Sequence, residues 1–258
     1  MDILIKGFGV VGKETAHYIN TKGSIELGVP NLFFEDPAYG YAPDHIRYYA
    51  VVVCTPCREG YVDDISELAK IPMEHLVIRS TVTPDGLNEA KEKMPDDVEI
   101  HFWPEFLTET TAREDAMHPD KIVVGTDSYM NNTKFVKLAK ILGFYQQDST
   151  IISLEAASIL KLAINTYYTT KVVFNNIIYD SLEHNDTDYA DVMDAMNLDK
   201  RITVSHQNIS QNGYRGAGGK NLPKDTRNFI KYLKENNLVS EAKVIEAFYD
   251  RNEELYNG

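Results

Sequence analysis

The run Gly7-Phe8-Gly9-Val10-Val11-Gly12, with glycine at its first, third and sixth places, constrains this chain more than any other feature. It follows Ile3-Leu4-Ile5, which reads as a strand, and opens Val11 to Asn20, which reads as a helix. In such a strand–turn–helix unit the first glycine makes the tight turn. The second lets backbone approach a diphosphate, and the third lets helix and strand pack closely. The free N–H groups and partial positive charge of the helix N-terminus complete a phosphate site. A second strand, Leu32-Phe33-Phe34, ends in Glu35-Asp36 before Pro37. Either carboxylate can take ribose hydroxyls, and Asp36, the last residue before the proline breaks the strand, is the expected one. No arginine follows closely, which favours NAD over NADP.

The rest of the first half repeats the alternation. Ala50 to Cys54, Leu76-Val77-Ile78, Glu99 to Phe102 and Lys121 to Val124 read as strands. Tyr61 to Lys70, Gly86 to Lys93 and Asn132 to Leu142 read as helices between or after them. Strands alternating with helices predict an α/β fold, with a parallel sheet covered on both faces. Near Ser149 the pattern changes: Ser153 to Glu183 has neither glycine nor proline and reads as one long helix. A helix over Asp188 to Asn197, a loop from Gly213 to Asp225 with four glycines, and two further helices to Tyr256 follow. The expected organisation is a Rossmann-like, NAD-binding domain over 1–150, followed by an all-helical domain over 151–258 that serves dimerisation and substrate binding.

A formal charge of −13 excludes nucleic acid and anionic membrane surfaces as partners, because both need a basic face. A chain of 258 residues buries enough core to need neither disulfides nor a metal, and no metal-ligand set is expected. Cys54 and Cys57, spaced C-x-x-C, suit a reducing cytoplasm. They read as small strand-end residues rather than a redox pair. The strand at the extreme N-terminus leaves no room for a targeting segment, and no apolar run reaches the length of a membrane helix.

Several segments, colinear over almost the whole chain, resemble the UDP-glucose/GDP-mannose dehydrogenase family. They are the glycine run, Val53-Cys54-Thr55-Pro56, Arg79-Ser80-Thr81-Val82, Trp103-Pro104-Glu105-Phe106-Leu107-Thr108-Glu109, and Pro119-Asp120-Lys121-Ile122-Val123-Val124-Gly125. Glu155 with Lys161 and Asn165, then Gly218-Gly219-Lys220-Asn221-Leu222-Pro223-Lys224-Asp225, complete the series. The resemblance implies that Gly7, Phe8, Gly9, Val10, Val11, Gly12, Asp36, Thr55, Pro56 and Thr81 hold NAD. It implies that Phe106 and Leu107 meet a nucleotide-sugar, with Lys161 and Asn165 at the reacting sugar carbon. The matching aspartate, Asp225, helps hold a catalytic water, and Thr81, Glu105 and Glu109 belong to the same site. Lys161 and Asn165, four apart, share a helix face. A lysine beside a cationic nicotinamide can serve as base or proton relay, and an asparagine can donate to a developing alkoxide.

One position departs from the family. Its nucleophilic cysteine, which carries the second of two hydride transfers, matches Asn221, and an amide cannot form the thiohemiacetal. A single oxidation, alcohol to aldehyde or ketone, is therefore expected. The stretch from Pro37 to Tyr49 is shorter than its counterpart, and the chain ends where the family continues into a second Rossmann-like domain. Two other readings stay open: a β-hydroxyacid dehydrogenase-like enzyme, which needs no cysteine, and a non-catalytic NAD or nucleotide-sugar binding module. Arg215, Lys220 and Lys224 gather in the glycine-rich loop, as ligands for an anionic substrate or as a solvated flexible loop. The helix over 153–183 carries Ile159, Leu160, Ile164, Val172, Val173, Phe174, Ile177 and Ile178 around it. That is more apolar surface than one small domain covers, so a homodimer through this helix is expected.

Overall fold

The computed structural model describes residues 1–257 except 39, 41–45, 109, 129–131, 147–148, 184–186 and 212, and gives no side-chain account of 25, 146, 211 and 257. Glu109 and part of the short stretch between Pro37 and Tyr49 therefore lie outside the described residues. The chain divides into two compact units, Met1–Lys161 and Leu162–Gly258, with the division inside the long helix.

In the first unit, consecutive apolar residues are buried on both faces of the strands, as covered parallel strands require. The elements are β1 (Asp2–Lys6), α1 (Val10–Lys22), β2 (Asn31–Glu35), β3 (Tyr48–Val53), α2 (Ile65–Leu68), β4 (Met73–Ile78), α3 (Pro84–Lys93), β5 (Glu99–Phe102), α4 (Ala112–Met117), β6 (Ile122–Thr126), α5 (Thr133–Leu142), β7 (Ser149–Ile152) and the start of α6 (Leu154–Leu182). The seven strands lie in the order β2-β1-β3-β4-β5-β6-β7. The chain moves from β1 outward to β2, then returns to pair β3 on the other side of β1. That reversal opens a crevice at the carboxyl ends of β1 and β3, the binding position of open α/β sheets. One apolar cluster under the sheet gathers Leu4, Val51, Leu76 and Phe102, and another on the opposite face gathers Ile3, Val52, Val77 and Leu138.

Two expectations need correction. The sheet is not wholly parallel, since β5 and β6 pair antiparallel. The helix expected over Tyr61 to Lys70 contracts to Ile65–Leu68, because Asp64 takes a left-handed backbone (φ 56°) that no preceding helical turn can continue through. Elsewhere the signals act as read. Thr83 caps α3 by accepting the Gly86 N–H, and Pro84 opens it. Strand β7 and helix α4 were not anticipated.

The second unit holds the rest of α6, then α7 (Tyr189–Met196), the short hairpin β8 (Ser210–Gln211) and β9 (Tyr214–Arg215), α8 (Leu222–Glu235) and α9 (Val239–Asn257). α8 and α9 pack against each other, and Asn252 closes the glycine-rich loop by accepting the Ala217 N–H and donating to the Ala217 carbonyl. No described helix is long and apolar enough to cross a membrane.

Candidate functional site

The glycine run follows β1 directly. Gly7 sits at φ 86°, and a Cβ there would stand 2.8 Å from the Thr55 nitrogen, so the turn lies flush against the end of β3. A Cβ on Gly12 would come within 2.0 Å of the Gly7 carbonyl oxygen, which fixes how closely α1 approaches β1. Gly9 is different. It forms the N-cap of α1 with nothing within 4 Å of a virtual Cβ, so the space before the helix N-terminus is open. No acidic side chain occupies the first turn of α1 to repel an anion there.

At the end of β2 the two acids take separate roles. Glu35 forms an ion pair with Lys6 on the neighbouring strand. Asp36 instead turns toward the glycine run: its Oδ2 accepts the Phe8 N–H (2.8 Å) and its Oδ1 the Ala38 N–H (2.9 Å). These backbone donors, Phe8 first, hold its carboxyl below the usual carboxylate range, with Lys13 adding a smaller pull. A carboxylate has about four lone-pair sites, so both oxygens keep capacity for further donors. An open, amide-lined helix N-terminus with an ionised carboxylate beside it fits the diphosphate and ribose of NAD.

Further along the same sheet edge lie the segments after β3, β4 and β5. Ser80 ties two of them together by donating to the Thr55 carbonyl and, at 3.3 Å, to that of Val53. Arg79, which the sequence reading assigned no role, is buried with its guanidinium 3.8 Å from the Trp103 ring centre. Its Nε and Nη1 have no hydrogen-bond partner among the described residues. A basic residue immediately after an apolar strand was its only sequence signal. Burial pushes the Cys54 thiol up to about 11, with Arg79 pulling weakly the other way, which keeps this cysteine protonated and unreactive. Cys57 is buried. Thr81 is buried directly after Ser80.

The Glu105 segment meets the first turns of α6. Lys161, 2% exposed, donates from Nζ to the Glu105 carbonyl at 2.6 Å and stands 3.4 Å from its Oε1. Glu105 Oε2 accepts the Leu107 N–H at 2.7 Å, so the carboxylate is held from both sides. The Phe106 ring lies 5.1 Å from the Lys161 ammonium and 4.5 Å from that of Lys121. Ser158 fixes the helix start by donating to the Val82 carbonyl.

In the second unit, Asn165 on α6 donates from Nδ2 to Oδ2 of Asp225 on α8 at 2.6 Å, both side chains buried. Thr226 and Thr169 join the same two helices through their hydroxyls (3.0 Å). Asn221 caps the start of α8, exposed and without a side-chain cap bond. The three cations of the glycine-rich loop have different surroundings. Arg215 reaches Asn176 and Asp180 and stacks near Tyr179, while Lys224 lies 3.5 Å from Asp225. Lys220 is exposed.

Residues 44–142 match the NAD binding domain, and residues 155–254 the central domain, of the UDP-glucose/GDP-mannose dehydrogenase family. The first match begins beyond the glycine run, so the reading of Gly7 to Gly12 rests on its own geometry. A UDP-glucose 6-dehydrogenase of Streptococcus pneumoniae is 34% identical over 211 residues, 74% of this chain and 51% of its own length. That of Rickettsia bellii (strain RML369-C) is 29% identical over 182 residues, 69% of this chain and 41% of its own length. The chain thus spans about half the length of the curated relatives it matches. A solved UDP-glucose dehydrogenase from Pyrobaculum islandicum superposes with a TM-score of 0.75 at 20% identity, covering 98% of this chain and 68% of that one, a likeness of fold. Two domain models of one family, matched in order along the chain, make this protein a member of the UDP-glucose/GDP-mannose dehydrogenase family.

Proposed function

We propose that this chain is an NAD-dependent oxidoreductase that oxidises one CH–OH group of a nucleotide-sugar and stops after a single hydride transfer. The observation that carries the reading is the buried Lys161–Glu105 pair in a unit that also holds a glycine loop and acid that fit NAD. Bound NAD⁺ supplies the hydride acceptor. The chain supplies the rest. Gly7 to Gly12 give backbone amides to the diphosphate, with Phe8, Val10 and Val11 forming the loop and first turn. Asp36 accepts from the ribose, and Thr55, Pro56 and Thr81 line the cofactor's edge.

Lys161 relays the alcohol proton, and Glu105, aided by Glu109, takes it onward and fixes the ammonium's direction. Asn165 donates to oxygen as charge develops there, and Asp225 orients that amide. Phe106, Leu107, Arg215 and Lys220 meet the sugar nucleotide. Asn221 offers no nucleophile, so no thioester forms and the product leaves as the carbonyl compound.

Subunits pair through α6, where Tyr167, Phe174 and Ile177 expose 62%, 50% and 44% of their surface at near-helical spacing. Activity rests on NADH formation by purified protein with NAD⁺ and a panel of UDP-sugars, GDP-mannose and small hydroxy acids. NADH with a nucleotide-sugar supports the reading. NADH with hydroxy acids alone favours the β-hydroxyacid reaction, and NAD⁺ binding without turnover on any of them favours a binding module.

A further inference from the structure

Away from the glycine run, on the sheet face covered by α5, three side chains converge. Strands β4 and β5 pair in parallel with His75 opposite Glu99 and Val77 opposite His101, so the pleat points all three residues to one side. His75 Nδ1 and His101 Nε2 are 3.1 Å apart, and Glu99 Oε2 lies 3.6 Å from the first and 3.9 Å from the second. The point equidistant from three atoms so spaced lies about 2.1 Å from each, the usual Zn–N and Zn–O bond length. We propose that His75, Glu99 and His101 form a binding site for a divalent, imidazole-preferring transition metal such as Zn²⁺.

The surroundings suit a cation better than a plain histidine pair. Glu99 Oε2 is buried and accepts no hydrogen bond among the described residues, although it faces the two ring nitrogens. If one nitrogen donated to the other, this carboxylate oxygen would stay without a donor; a metal ion engages all three atoms at once. The other carboxylate oxygen is held by Asn132 Nδ2 at 3.0 Å, which fixes the direction of Oε2. His101 Nδ1 lies 3.0 Å from Thr126 Oγ1, which already accepts the Ser128 N–H. With the Nδ1–H donating to that oxygen, the Nε2 lone pair faces the cluster, the outer-sphere arrangement of metal-bound histidine. His75 Nε2 has no such partner among the described residues. Both rings are buried. Glu99 retains partial exposure. Glu74 adds negative charge nearby and Lys134 and Lys137 add positive charge. Two imidazoles and one carboxylate match zinc or its first-row neighbours, not calcium or magnesium, which prefer all-oxygen sets.

The test is calorimetric titration of ZnCl₂ into the full chain after chelator treatment, with Co²⁺ absorption as a second readout. The expected result is one equivalent bound by the wild type, with Co²⁺ giving the intense visible bands of a four- or five-coordinate site. Glu99→Gln, at the partly exposed ligand, should keep the fold by circular dichroism and weaken binding at least about tenfold, the loss that even outer-sphere changes cause. His75→Gln should do the same if it folds. Absence of stoichiometric binding by the wild type would overturn the site. So would equal affinity in folded Glu99→Gln, which would place the ion on other histidines, or a pale, six-coordinate Co²⁺ spectrum.

Discussion

Asn165 gives its amide to the Asp225 carboxylate at 2.6 Å, with both groups withdrawn from water. A buried hydrogen bond to a charged acceptor contributes about 1.5–3 kcal/mol. Asp225→Asn keeps an acceptor and should lower the denaturant midpoint modestly, whereas Asp225→Ala should cost about 2–3 kcal/mol because the Asn165 amide is left buried and unpaired. Both should reduce NADH formation by at least about a hundredfold if Asp225 orients the amide at the reacting oxygen. Asp225→Asn with full turnover would remove that role.

The glycine run offers a paired test of cofactor binding. Gly12→Ala puts a methyl 2.0 Å from a backbone oxygen, so the turn must shift, at a cost of about 1–3 kcal/mol or more. Gly9→Ala meets no protein atom and should leave the melting temperature within a degree or two, yet it fills space assigned to the diphosphate. Calorimetry should show NAD⁺ affinity falling about tenfold or more in Gly9→Ala. Unchanged affinity would mean that the diphosphate lies elsewhere.

Cys54 should be chemically quiet. With its thiol pushed up to about 11 by burial, only about one molecule in a thousand carries the thiolate at pH 8. Iodoacetamide labelling of its peptide, followed by mass spectrometry, should be slow at neutral pH and rise about tenfold per pH unit toward 11. Labelling as fast as a free thiol at pH 7.5 would contradict this and reopen Cys54 as a nucleophile.

Asp180 links α6 to the glycine-rich loop and to α9 through Arg215 and Arg251. Burial raises its pKa, but hydrogen bonds and charge from the two arginines outweigh that and hold the carboxyl below the usual range. The sign follows: its stabilising contribution is present above the ordinary carboxylate value and is lost as pH falls through the depressed folded value. Asp180→Asn should therefore cost about 1 kcal/mol at pH 7, since these pairs are partly exposed. The gap from wild type should close as the pH drops below about 4. A gap that persists to pH 3 would refute the ionic origin.

Much of this is legible in the sequence, for local reasons. Glycine spacing after an apolar strand specifies the turn at Gly7, and Pro37 marks Asp36, which lies one residue past β2 and faces the run. The long helix announces itself by the absence of glycine and proline. What is hidden depends on contacts between distant segments. The antiparallel pairing of β5 with β6 leaves no local mark. Arg79 opens the Arg79-Ser80-Thr81-Val82 segment, but its burial against Trp103 needs the fold. Arg215 is likewise read only in part, since proximity in sequence groups it with Lys220 and Lys224 while its pairing with Asp180 needs the fold. His75, Glu99 and His101 belong to no metal-ligand spacing, because strand register alone brings them together.

The most direct test of a single hydride transfer is to count NADH formed per nucleotide-sugar consumed, for the wild type and for Asn221→Cys. Asn221 is exposed and makes no side-chain cap bond, so the substitution should cost under about 1 kcal/mol. A cysteine at a helix N-terminus is favoured as thiolate. The account predicts one NADH per sugar and a carbonyl product for the wild type, and a ratio rising toward two with a carboxylate product for Asn221→Cys. Two NADH per sugar in the wild type would contradict it, by requiring a route to the acid that does not pass through residue 221.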